Sequence, residues 1–227
     1  MARPTGTPPP GSLPALTGAD VRGMAWALYN DVAQRLISLN KLEQRRHLLD
    51  RLRALGLPPG GTALDFGCGT GLFAPTFRRA GLRYLGYDID PRLVSYAAHL
   101  YRYGRFLSSE ALLRAAAPFD VIVANCCFHH IADDTLSTEL ARMRGLLADG
   151  GTFVMIDIVL PAGPDPSFLR RQFRRLERGA FVRQPDQYRA IVERHFRVRR
   201  VDWHRSHLFS LPRNPVYNDL VILECGT

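Results

Sequence analysis

The run Ala63-Leu64-Asp65-Phe66-Gly67-Cys68-Gly69-Thr70-Gly71 constrains the fold of this chain more than any other stretch. Thr62 to Phe66 reads as a strand, three glycines follow at alternate positions, and Leu72 to Ala80 continues at helical spacing. Glycine lets a backbone turn sharply and lets another group approach it closely. A strand that turns on glycines into a helix opens a βαβ unit, and open α/β sheets place ligands at that carboxyl edge.

The rest of the pattern agrees. Arg83 to Ile89 reads as the next strand, followed by a helix opening at Pro91, where a missing N–H costs nothing. Val121 to Ala124 is a continuous apolar run, the mark of a strand covered on both faces. Leu136, Leu140, Met143 and Leu147 mark a helix that stops at Gly150-Gly151, and Thr152 to Leu160 is another buried strand. Strands alternating with helices imply right-handed crossovers and a mainly parallel, doubly wound α/β sheet. After Pro161 two more polar helices are expected, at Asp165 to Arg178 and Pro185 to Phe196. Two last strands, around Val198 and across Val216 to Leu223, would pair antiparallel at one sheet edge. Residues 1–18 read as a loose Pro-rich tail and 19–227 as one domain. Within it, 19–57 form a helical cap and 165–195 a helical lid.

The glycine run is not a dinucleotide fingerprint. That motif wants G-x-G-x-x-G, whereas here the third glycine comes one position early and Leu72 fills the slot. No G-x-x-x-x-G-K-[ST] occurs, so triphosphate hydrolysis has no support. The second element is Gly86-Tyr87-Asp88-Ile89-Asp90, at the end of the next strand. Asp88 follows at the spacing, about 20 residues on, at which an acid takes ribose hydroxyls in such folds.

D-x-G-x-G-x-G followed by G-x-D resembles the first two motifs of the class I S-adenosylmethionine-dependent methyltransferases. Phe119 to Asn125 is similar to that family's fourth strand, and Leu146-Leu147-Ala148-Asp149-Gly150-Gly151 to the turn before its fifth. The resemblance covers Tyr29 to Leu160 and implies a seven-stranded sheet. It implies S-adenosyl-L-methionine as cofactor and S-adenosyl-L-homocysteine as its spent form, with Gly67, Cys68, Gly69 and Gly71 facing the methionine part and Asp65 beside them. Asp88 would take the ribose hydroxyls and Ile89 would pack on adenine. The acid that often follows the third strand is replaced by Ser108-Ser109-Glu110, with Ser109 the candidate for the adenine amine. Asn125 and Phe128 complete the expected cofactor set.

Acceptor-side candidates follow the fourth strand in Asn125-Cys126-Cys127-Phe128-His129-His130. Nucleic-acid members carry two prolines where this chain has cysteines, and the segment resembles the F-H-H run of small-molecule members. His129 or His130 is either a general base or a packing and loop-bonding residue, since imidazole titrates near working pH. Arg178 and Arg183 flank a glycine turn, and a guanidinium fork suits a carboxylate or phosphate. His207 in the last connection and Tyr29, in a segment like the family's entry helix, complete the candidate substrate contacts.

Composition sets the remaining expectations. The formal net charge is +9, and every basic residue but Lys41 is arginine. This is read first as codon bias and second as attraction for an acidic partner. No run is long enough to cross a bilayer and no signal-peptide core precedes the domain, so a cytoplasmic protein with no membrane partner is expected. Cys68, Cys126, Cys127 and Cys225 show no C-x-x-C spacing, and no D-x-D cluster occurs, so no metal is expected. The expected function is methyl transfer to oxygen or nitrogen of a small, preferably anionic metabolite in specialised metabolism. The alternatives are an RNA or DNA methyltransferase, with nucleic acid disfavoured as partner, and a cofactor-binding protein that is catalytically silent. Oligomeric state has no signature in the sequence.

Overall fold

The computed structural model describes residues 23, 25, 28, 41–160, 180–209 and 216–227, with backbone alone at 41–42, 206–209 and 216–218. Five strands are parallel: Thr62–Phe66 (β1), Arg83–Tyr87 (β2), Arg105–Leu107 (β3), Phe119–Asn125 (β4) and Leu147–Ile158 (β5). Arg197–Phe209 (β6) and Val216–Gly226 (β7) are antiparallel to each other, and β7 also pairs antiparallel with β5. The order across the sheet is β3-β2-β1-β4-β5-β7-β6. The chain order thus reverses direction between β1 and β4, the switch point at which such sheets open a crevice.

Six helices flank the sheet among the described residues: Lys41–Ala54 (α1), Ala74–Arg79 (α2), Pro91–Leu100 (α3), Glu110–Ala116 (α4), Asp133–Leu146 (α5) and Pro185–Val192 (α6). Strand alternation divides the core in two. Ala63, Val121, Val123, Val154, Ile156, Leu220 and Ile222 pack with Leu48 and Leu52 of α1 and Phe77 of α2. Leu64, Ile122, Phe153, Met155 and Leu223 pack on the other face with Leu136, Leu140 and Met143 of α5 and Ile191 of α6. Each fully buried side chain of this kind contributes about 1.5–3 kcal/mol. β1 and β4 are buried along almost their whole length, as strands covered on both faces are.

Several boundaries differ from the sequence reading. α2 begins at Ala74, not Leu72, because the glycine turn takes up the intervening residues through Gly71 N–H to Cys68 O and Ala74 N–H to Gly71 O. β2 ends at Tyr87, so Asp88 and Ile89 stand just beyond it. Asp90 caps α3, its carboxylate accepting Arg92 N–H at 2.9 Å, with Pro91 next. α5 ends at Leu146, four residues before the glycines, because Leu147 already pairs with Phe119 in the sheet. α6 stops at Val192 rather than Phe196. The helix expected at Asp165 to Arg178 lies outside the described residues, as does about half of the expected cap. Among the described residues no helix is long and apolar enough to cross a membrane.

Candidate functional site

Gly67, Gly69 and Gly71 all have positive φ, at +72°, +53° and +73°. Two of them are also hemmed in by the protein itself. A Cβ at Gly67 would lie 2.7 Å from Cys127 Cβ, and one at Gly71 would lie 2.9 Å from the Phe106 ring. Gly69 is different: nothing lies within 4 Å of a Cβ there, so its bent backbone faces open space. Gly67 and Cys68 donate their N–H groups to Tyr87 O at 2.8 and 3.0 Å, which holds the loop against the end of β2. Asp88 completes the cradle. Its Oδ2 accepts Gly69 N–H and its Oδ1 accepts Asp90 N–H, both at 2.9 Å. Beside it Ile89 is 84 % exposed, an apolar side chain left bare at the mouth of the sheet.

Two carboxyl groups therefore converge on one loop. Burial raises Asp88 above the usual carboxylate range, against the lowering effect of its two backbone donors. Asp65, 2 % exposed, is pushed up to about 7, first by burial and then by the charge of Asp88, although Tyr84 donates to its Oδ2 at 2.9 Å. Among the described residues no basic side chain pairs with either acid. An open backbone bend, an exposed apolar platform and two underneutralised acids fit a ligand with a flat ring, hydroxyls and positive charge. S-adenosylmethionine has all three, and of the sequence-predicted residues Gly69, Asp88 and Ile89 border this opening, whereas Gly67, Gly71 and Asp65 lie packed behind it.

The raised Asp65 has a measurable consequence. Its folded pKa exceeds the unfolded value of 3.8, so folding binds a proton between about 4 and about 7 and stability falls as pH rises through that window. Asp65→Asn should therefore melt a few degrees above the native chain at pH 8, the gap closing toward pH 4, while binding S-adenosylhomocysteine more weakly. Thermal melts across pH check this, and a gap that does not vary with pH would refute it.

The chain departs from the sheet in opposite directions after β4. Cys126 has φ 53°, unusual for a residue with a side chain, and its N–H still bonds Ile156 O at 2.7 Å. Asn125 keeps the face of Val121 and Val123, whereas Phe128–His130 form a 3-10 turn on the other face. Phe128 is completely buried against Phe153, ring centroids 6.2 Å apart, so this residue packs in the core and corrects the expectation of a cofactor contact. His129 is 2 % exposed and its Nδ1 meets Asp157 Oδ1 at 2.5 Å. Asp157 Oδ2 also accepts Phe128 N–H and His129 N–H, at 2.7 and 3.3 Å. His129 is thus an anchor of the turn, and His130, its ring tilted against it with centroids 4.1 Å apart, is the exposed member of the pair.

Arg183 is corrected too. Its Nε donates to Asp133, one terminal nitrogen to Phe128 O and Phe181 O, the other to Ile131 O and Asp133. All five N–H groups are committed inside the protein, and the side chain is 5 % exposed, so no donor remains for a substrate anion. Arg183 bolts the turn to α5 instead. Ser109 caps α4, its Oγ accepting Leu112 N–H at 3.5 Å, which accounts for the residue type without a ligand. Tyr29 and Arg178 lie outside the described residues, as does the side chain of His207. Burial raises the thiols of Cys68 and Cys127 well above the ordinary range, leaving them neutral packing groups.

Two features escaped the sequence reading. Asp157 was legible as a lone acid within Phe153-Val154-Met155-Ile156-Asp157-Ile158-Val159, since a charge in a buried strand needs partners. The cleft in front of Asn125 was not legible. It is lined by Gln44 and His47 of α1, Ile156 of β5, His204 of β6 and Leu220 and Ile222 of β7, residues far apart in the chain.

This topology, with its glycine cradle and acid at neighbouring strand ends, defines a Rossmann-like methyltransferase fold. A family described as "Methyltransferase domain" matches residues 40–201. The chain belongs to that family, among the class I S-adenosylmethionine-dependent methyltransferases. It is similar to an uncharacterized methyltransferase of Mycobacterium tuberculosis, 33% identical over 120 residues covering 51% of this chain and 58% of the relative. It also resembles a ribosomal protein L11 methyltransferase of Xylella fastidiosa, 36% identical over 116 residues, 49% of this chain and 36% of that one. The matches thus span less than two thirds of either relative. Among solved structures, magnesium protoporphyrin IX methyltransferase from Synechocystis with bound S-adenosylhomocysteine superposes with TM-score 0.62 at 20% identity, covering 86% of each chain.

Proposed function

We propose that this protein transfers a methyl group from S-adenosylmethionine to oxygen or nitrogen of a small molecule. The observation that carries the reading is the hydrogen bond from Gly69 N–H to Asp88, which holds an open glycine bend beside a ribose-binding acid. When bound, the cofactor supplies an electrophilic methyl on a positive sulfur. The protein's task is then to hold an acceptor in line and keep water away, and orientation alone lowers such a barrier by several kcal/mol, up to about 10.

The cleft at Asn125, lined by residues of α1, β5, β6 and β7, is the candidate place for a small acceptor. His130 supports proton removal better than His129, because it is exposed, whereas His129 is buried with its Nδ1 on Asp157. The preference for an anionic acceptor has lost Arg183 and now rests on Arg178 and the net charge of +9. A role in specialised metabolism rests on the family resemblance.

Label transfer tests the reading. Purified protein, given cofactor with an isotopically labelled methyl and a bacterial extract, should place label in the low-mass fraction. Label in RNA, DNA or ribosomal protein would overturn the small-acceptor reading. Tight cofactor binding with no label transferred to any fraction would favour a catalytically silent protein.

A further inference from the structure

The cleft before Asn125 carries a second, unassigned constellation. Glu43 and His47 lie one turn apart on α1, and His204 comes across to them from β6. One oxygen of Glu43 faces the Nε2 atoms of both histidines, at 3.9 Å for His47 and 3.6 Å for His204. One ligand atom from each of the three side chains can be chosen within 4.8 Å of the others. The two rings lie side by side, centroids 3.8 Å apart. Spacing i,i+4 puts Glu43 and His47 on one helix face. β6 joins them because its pairing with β7 sets His204 opposite Leu220, whose side chain belongs to the α1 face of the sheet.

Asn125 supplies an independent observation. It is 9 % exposed, and both its amide oxygen and its amide nitrogen are buried with no protein partner. Leaving such groups unpaired costs about 1–3 kcal/mol each, so a bare buried amide on a cleft wall points to something that fills the cleft. His47 and His204 line that same cleft.

We propose that Glu43, His47 and His204 bind a divalent transition-metal ion of the zinc class at the mouth of this cleft. Two imidazoles and one carboxylate suit zinc, with bonds of about 2.0–2.2 Å, so rotamer adjustments on the order of an ångström bring the three together. Three protein ligands would leave one coordination position over for water or a further ligand. Sequence inspection gave no reason to expect a metal, because positions 43, 47 and 204 form no spaced motif.

The test is calorimetric titration of the tag-free, chelator-treated full chain with zinc chloride, followed by separate titration with S-adenosylhomocysteine. One zinc per chain is expected, with affinity reduced at least about tenfold in His204→Ala and in Glu43→Gln, the range in which even outer-shell losses fall. His99→Ala, altering an exposed histidine on α3, should bind as the native chain does. S-adenosylhomocysteine binding should persist in all three variants, which shows that they fold. Absence of zinc binding, or zinc binding undiminished in both His204→Ala and Glu43→Gln, would overturn the proposal while leaving the cofactor site intact. Should zinc bind as described and S-adenosylhomocysteine not bind at all, the metal site stands and the methyltransferase reading fails.

Discussion

Replacing Asp88 with alanine should weaken S-adenosylhomocysteine binding about 100-fold or more while leaving the fold standing. The expectation follows from what Asp88 touches and where it stands. Its two oxygens each accept one backbone N–H, from Gly69 and Asp90, so the carboxylate holds the open glycine in its bent conformation. A carboxylate oxygen has a further lone pair, and in the proposed complex each takes a ribose hydroxyl. Hydrogen bonds to charged groups contribute about 1.5–3 kcal/mol each, so losing two reaches the 100-fold range. The fold survives because Asp88 lies beyond β2, whose ladder to β1 is intact without it. Calorimetric titration with S-adenosylhomocysteine checks the loss, and circular dichroism checks the fold. An affinity within threefold of the native protein would remove Asp88 from the cofactor site.

Asp157→Ala should cost about 3–5 kcal/mol of stability, because it strips the shared acceptor from several buried donors, each left unanswered at about 1–3 kcal/mol. Asp157 is 1 % exposed. It receives His129 Nδ1, the N–H groups of Phe128 and His129, and its neighbour Ile158 N–H at 2.7 Å. Alanine would leave these buried groups unanswered at once. At about 2–4 °C per kcal/mol for a domain of this size, the midpoint should fall by roughly 10 °C. Should Asp157→Ala not fold, Asp157→Asn provides the measurement, since it keeps an acceptor oxygen and should lose less. A loss under about 1 kcal/mol in Asp157→Ala would mean that the His129 turn is held by Arg183 alone.

These two residues differ in how far the sequence announces them. Asp88 sits in a local pattern, Gly86-Tyr87-Asp88, whose meaning comes from a strand end and a fixed distance from the glycine loop. Asp157 was visible only as an anomaly, an acid in a buried strand, with no sign of its partners. Arg183 and Phe128 show the reverse error. Both have the chemistry of a ligand contact, but burial and donor count decide the matter, and both are spent on the protein itself.

What the sequence determined by itself is the parallel sheet, the glycine cradle and its acid. These are properties of period, turn chemistry and short spacing, which are written in neighbouring residues. Tertiary structure alone decided that His129 turns inward while His130 stays out, that all five donors of Arg183 are committed, and that Glu43 and His47 meet His204 before Asn125. The physical reason is distance along the chain. A helix turn or strand alternation fixes directions over a few residues, whereas the meeting of α1 with β6 depends on the register of the β6–β7 pair and the packing of α1 across the sheet.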